Sequence, residues 1–93
     1  MQPLKLGDLT ITAEATESFG SDLISQCVSA HHDGFWGKLN PVDEDLQNQI
    51  FEADEIPADG QIFRSKWEHP AKPLEVIWIV TRYNKHTTVI LAP

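Results

Sequence analysis

The stretch IWIVTRYNKHTTVIL, Ile77 to Leu91, constrains this chain more than any other. Two β-branched, apolar runs flank a short polar knot, Arg82-Tyr83-Asn84-Lys85-His86. Runs of this kind read as strands, and a knot this short reads as the turn of a hairpin. A two-residue turn at Asn84-Lys85 predicts that Arg82 pairs with Thr87, Val80 with Val89 and Trp78 with Leu91. On the other face it sets Ile79 against Ile90 and Thr81 against Thr88. Both faces of this hairpin are apolar, whereas a sheet wetted on one side would alternate more cleanly. Helices are therefore expected over one face, with the N-terminal segment or a second subunit over the other.

The preceding sequence supplies those helices. Thr12 is an N-cap candidate for AEATESF, which Gly20 closes. A second helix, DLISQCVSAHH, carries Leu23, Ile24, Cys27 and Val28 at helical spacing, with Ala30 and His31 extending the stripe. Gly34 ends it. Asn40-Pro41 starts a third helix, with Asn40 as N-cap and Pro41 at the first helical position, where its missing N–H is harmless. Asp43, Glu44 and Asp45 sit near its positive end. Val42, Leu46, Ile50 and Ala53 form its expected apolar face. Pro57 and Gly60 break it. GQIFRSKW contributes another strand, Gln61 to Trp67. DLTIT, Asp8 to Thr12, is short and β-prone, an edge strand or a lead-in. Helices followed by a meander give an α+β class: about three N-terminal helices on a three- to four-stranded antiparallel sheet ending in the C-terminal hairpin.

At 93 residues the chain suits one domain, residues 1–93. With 41% hydrophobic and 23% charged residues it falls with globular chains rather than disordered ones. No apolar run approaches the ~20 residues of a membrane span. The opening MQPLKLGDLTITAEA lacks a basic region followed by a long apolar one, so no signal peptide is expected. A single cysteine, Cys27, allows no internal disulfide, and a cytoplasmic location is expected. The net charge of −7 is unevenly spread. Residues 1–59 hold twelve acidic side chains against Lys5 and Lys38, while residues 60–93 hold five basic against two acidic. The acidic half argues against general nucleic-acid binding, which needs a basic footprint. The basic half leaves room for a small patch.

Four segments resemble, in order, a set of small bacterial proteins carried on plasmids, integrons and other mobile elements. They are LGDLTITAEA (Leu6 to Ala15), HHDGFWGKLNPVDEDLQN (His31 to Asn48), GQIFRSKW (Gly60 to Trp67) and IWIVTRYNKHTTVILAP (Ile77 to Pro93). The family pattern reads GDWGDL…ED…N, then a strand ending in SxY, then WIITEADRSxTTVLLP. The resemblance covers nearly the whole chain and implies a genetic context rather than a reaction. At the knot this chain departs from the pattern. Arg82 stands for an acid, Asn84 for an aspartate, Lys85 for an arginine and His86 for a serine, so any chemistry of an Asp–Arg pair there is lost.

No motif specifies catalytic residues, a metal site or a cofactor. Trp36, between Gly34 and Gly37, reads as a partner anchor or as a wedge docking its turn on the sheet. His31, His32, His69 and His86 lack metal-ligand spacing. Cys27 lies on the apolar stripe, with His31 four residues on as the base a nucleophile would need. Arg64, Lys66, Arg82, Lys85, His86 and Thr88 form a candidate basic and hydroxyl-bearing surface. The expected function is therefore that of a non-enzymatic accessory protein binding another macromolecule, protein more than nucleic acid, with a homodimer through the C-terminal hairpin. The competing reading is a small metal-independent RNase-like or toxin-related enzyme using the same basic and hydroxyl side chains. A ligand-binding module using Trp36, Trp67 and Trp78 is a third.

Overall fold

A computed structural model describes residues 3–93. The elements are β1 (Asp8–Ile11), α1 (Ala13–Phe19), α2 (Ser21–His32), α3 (Pro41–Phe51), β2 (Ile62–Glu68), β3 (Val76–Arg82) and β4 (His86–Leu91). The caps follow the local chemistry of the sequence. The Thr12 side chain accepts from the Ala15 N–H, and the Asn40 side chain accepts from the Val42 N–H ahead of Pro41. The class is α+β, but the sheet is mixed, in the order β1-β4-β3-β2. β2, β3 and β4 form the antiparallel meander, and β1 adds in parallel to β4. The three helices and the antiparallel C-terminal meander are as expected, and DLTI is the edge strand that its pattern allowed; the correction is that this strand joins the sheet in parallel, so the sheet is not wholly antiparallel. A strand that precedes three helices reaches the sheet's far side only by a long crossover, and that pairing leaves no short-range signature.

The hairpin is also shifted by one residue from the expected register. Arg82 pairs with His86, Thr81 with Thr87, Val80 with Thr88 and Ile79 with Val89. The loop is three residues long, because Tyr83 continues the β2–β3 ladder. Its N–H donates to the Gln61 carbonyl, and its own carbonyl accepts from Gly60. Tyr83 is then buried in the core and withdrawn from the turn. Asn84 takes the positive φ, 60°, in a turn closed by the Lys85 N–H and the Arg82 carbonyl. The N-terminal segment clasps this turn. Asn84 N–H donates to the Lys5 carbonyl, and Asp8 N–H donates to the Lys85 carbonyl. The chains come so close that a Cβ on Gly7 would collide with the Lys85 carbonyl. A one-residue slip exchanges the two faces of a strand. Here it sends Thr87 and Val89 inward beside Ile77, Ile79 and Thr81, and sends His86, Thr88 and Ile90 outward beside Trp78, Val80 and Arg82.

On the inner face, α1 and α2 bury Ala15, Phe19, Ile24 and Cys27 against Ile77, Ile79 and Val89. A second cluster, Leu4, Trp36, Leu39, Phe51, Phe63 and Tyr83, fills the end beneath the α2–α3 connection. The α3 helix packs differently from expectation. Its buried residues are Gln47 and Phe51, whereas Val42 is 68% and Leu46 56% exposed. The helix has turned by one position because it lies along the edge of β2. Gln47 accepts from the Arg64 N–H and donates to the Arg64 carbonyl, both at 2.7 Å. Two hydrogen bonds to otherwise unpaired strand backbone, together with the burial of Phe51, outweigh the burial of Val42 and Leu46. No helix among the described residues is long and apolar enough to cross a membrane.

Candidate functional site

The outer face of the sheet gathers most of the candidate residues. Its cross-strand rows are Ile62–Arg82–His86–Asp8, Arg64–Val80–Thr88–Thr10, Lys66–Trp78–Ile90 and Glu68–Val76. Residues paired in this way carry Cβ atoms about 4.5–5.5 Å apart and share a face. Arg64, Lys66, Arg82, His86 and Thr88 therefore converge on one surface, although they are drawn from three strands. Arg64, Arg82 and His86 are exposed, while Trp78, Val80 and Thr88 are half-buried between them. The Lys66 ammonium lies 5.6 Å from the Trp78 ring centroid, a cation–π arrangement. Alongside runs the exposed stripe of α3, Val42, Leu46 and Ile50. A cleft of about 220 Å³ separates helix from sheet, bounded by Leu46, Gln47, Ile50, Ile62, Arg64 and Trp78. No element among the described residues covers this face. Lys85 lies in the adjoining turn and is exposed. The same face carries Asp8 directly beside His86, with Arg82 on the other side.

Trp36 does not belong to this surface. It is 3% exposed, donates its indole N–H to Asn48 Oδ1 at 2.7 Å and packs among His31, Phe51 and Phe63. Its place is that of a wedge between turn and sheet, and it is not available as an anchor for a partner. Trp67 is half-buried against the inner cluster, with its N–H donated to Ser65 Oγ. The three tryptophans thus do not line one pocket.

His31 has the most unusual environment in the molecule. It is fully buried, with Nδ1 2.7 Å from Ser65 Oγ and Nε2 2.8 Å from Thr81 Oγ1. The network continues from Thr81 to Thr87 at 2.7 Å and from Thr87 to the Leu6 carbonyl at 2.8 Å. A carbonyl only accepts, so Thr87 donates to Leu6 and accepts from Thr81. Thr81 then accepts from His31 Nε2–H, which leaves Nδ1 to accept from Ser65. Ser65 in turn accepts from the Trp67 indole N–H. One neutral tautomer satisfies every member, and the line of bonds ties α2, three strands and the N-terminal segment together. Burial, assisted by His32, lowers the His31 pKa from 6.5 to about 4. A second ring proton would leave the Ser65 hydroxyl hydrogen without an acceptor. His31 is thus a structural histidine joined to the sheet rather than a base for Cys27. Burial raises the Cys27 thiol pKa, which disfavours the reactive thiolate.

The other histidines are dispersed. His32 contacts Asp33, His69 accepts from the Ala71 N–H, and His86 lies on the outer face. Among the described residues no group of three or more His, Cys, Asp or Glu side chains is assembled to hold a metal ion. Helical spacing in α2 placed His31 on the buried stripe, but nothing local named its hydroxyl partners 34 and 50 residues away. The position of Asp8 beside His86 was equally illegible, since it rests on the parallel pairing of β1. No known family model matches the chain, and neither a curated protein nor a solved structure is significantly similar to it.

Proposed function

We propose that this chain is a non-enzymatic binding protein whose outer sheet face docks an acidic surface of another protein. The observation that carries this reading is the convergence of Arg64, Lys66 and Arg82 around the half-buried Trp78 and Val80, on a face that no described element covers. Cations ringing an aromatic and aliphatic centre fit the usual composition of an interface core and rim. Charge complementarity then selects an acidic partner and speeds its encounter. The protein's own excess of negative charge disfavours nucleic acid. The resemblance to small proteins of mobile elements supplies the context, that of an accessory protein in a bacterial cytoplasm. Pull-down from a bacterial lysate, with wild type beside the Arg64→Ser/Lys66→Ser/Arg82→Ser variant, tests the reading. A protein retained by the wild type and released by the variant supports it; equal retention by both rejects this face as the docking surface.

A second reading draws on one specific observation. Asp8 supplies the carboxylate that an RNase-like site needs, beside His86 and Arg82 in a single cross-strand row. A carboxylate, an imidazole and a guanidinium can provide a base, an acid and charge stabilisation at a scissile phosphate. Purified protein would then cleave RNA without added metal, and His86→Ala would abolish the cleavage. Intact RNA after prolonged incubation with the wild type eliminates this alternative.

A further inference from the structure

The two edges of the sheet are treated differently. Along the middle of β2, the outward backbone groups of Arg64 and Lys66 have partners. Gln47 serves both groups of Arg64, while Lys66 donates to the Trp36 carbonyl and accepts from the Lys38 N–H. The opposite edge, β1, has no such cover. The N–H groups of Asp8 and Thr12 donate to the Lys85 and Val89 carbonyls of the hairpin. Strand alternation therefore turns the backbone groups of Leu9 and Ile11 away from the sheet, and among the described residues nothing meets them. Their side chains are 47% and 39% exposed, although both lie on the inner, core-facing side. Between them and α2 runs a groove with Leu6 and Val28 at its apolar wall and Ser25 and Ser29 at its rim. Unprotected edges are normally blunted by proline, charge, a bulge or brevity. The strand DLTI has no proline, no lysine and an unbroken register with β4, and its only such devices are its four-residue length and Asp8.

We propose that β1 pairs antiparallel with β1 of a second copy of this chain, joining the two sheets into one of eight strands. The register follows from the edge itself. With the two-fold axis at Thr10, Leu9 lies opposite Ile11 of the second copy, and the two outward-turned residues of each strand exchange N–H···O=C bonds as narrow, hydrogen-bonded pairs. An isologous contact requires such a self-complementary patch, and Leu9 and Ile11 are placed symmetrically about Thr10. Leu9 and Ile11 of one copy then close the groove of the other. Asp8 meets Thr12 of the second copy rather than another Asp8, so the negative side chains stay apart. This dimer does not use the hairpin, whose β4 edge β1 already occupies. It stands independently of the docking role of the outer face.

Sedimentation analysis and amide hydrogen exchange test the proposal on the full chain. The wild type should sediment at twice the 10.5 kDa monomer mass, with slow exchange at the Leu9 and Ile11 amides. Ile11→Pro removes an outward N–H that β4 does not use, so it should give a folded monomer with unchanged circular dichroism. Leu9→Lys should do the same through charge at the groove and decides the matter if the proline variant does not fold. Arg64→Ser/Lys66→Ser should remain dimeric, which separates this contact from the outer face. A monomeric wild type at high concentration with rapid exchange at Leu9 and Ile11 overturns the proposal. A dimer that survives both β1 substitutions overturns it as well.

Discussion

The two faces of the sheet carry polar groups in opposite ways. On the inner face, Ser65, Thr81, Thr87 and His31 are fully buried and joined in one line of hydrogen bonds. On the outer face, Arg64, Arg82 and His86 are exposed, and no hydrogen bond joins their side chains to another among the described residues. The same three strands contribute to both. A buried polar group without a partner is expensive, so the inner set can only exist complete. The outer set is already solvated and can change with little effect on folding. The inner face is therefore where stability is concentrated, and the outer face is where a partner can be selected at small structural expense.

Substitutions should separate the faces by size of effect. His31→Ala strikes the inner line hardest, because it opens a cavity and strands the Ser65 and Thr81 hydroxyls. It should lower unfolding stability by about 3–4 kcal/mol in urea titrations. A loss no larger than that of an exposed residue would remove the distinction between the faces. Acid should act at the same place. The folded His31 pKa, about 4, lies below the ordinary 6.5 of the unfolded chain. The unfolded state thus binds more protons between these values, and stability falls as pH drops through that window. The His31 contribution, full near neutrality, amounts to about 3 kcal/mol lost by pH 4. His31→Ala should flatten this part of the pH–stability profile while leaving the carboxylate part below it.

Gln47→Ala lies between the two faces, at the strand edge. Leaving the Arg64 backbone groups without side-chain partners should cost about 1–2 kcal/mol, read from the thermal midpoint, and should speed hydrogen exchange at the Arg64 amide. The smallest effect belongs to Arg64→Ser/Lys66→Ser, which should stay within about 0.5 kcal/mol of wild type by urea unfolding. The same variant should nonetheless lose capture of an acidic protein. If it instead unfolds easily, the outer cations are structural and the comparison fails.

Much of the fold was legible because it depends on near neighbours. The Thr12 and Asn40 caps, the Pro41 start, the helical stripe of α2 and the two hairpin strands are all set within a few residues. Legibility ended wherever a residue's partner was distant in sequence. The face of α3 was misjudged because Val42, Leu46 and Ile50 satisfy helical periodicity, yet the β2 edge competes for Gln47 and wins it. Of the candidate surface residues, Arg64, Lys66, Arg82, His86 and Thr88 do share a face, whereas Trp36 was drawn into the core by Phe51, Phe63 and Asn48.

Local chemistry in the sequence was thus enough to determine the three helices, their N-terminal ends, the two hairpin strands and the placement of His31 and Cys27 on a buried stripe, but not the end of α3, which stops at Phe51 short of Ala53. Tertiary structure alone decided the register of the hairpin, the parallel addition of β1 and the partners of His31. The physical reason is the two-residue period of a strand. Burying Tyr83 and clasping Asn84 with the Lys5 carbonyl lengthened the loop by one residue. That single residue set His86 beside Arg82 on the open face and Thr87 beside Thr81 in the core.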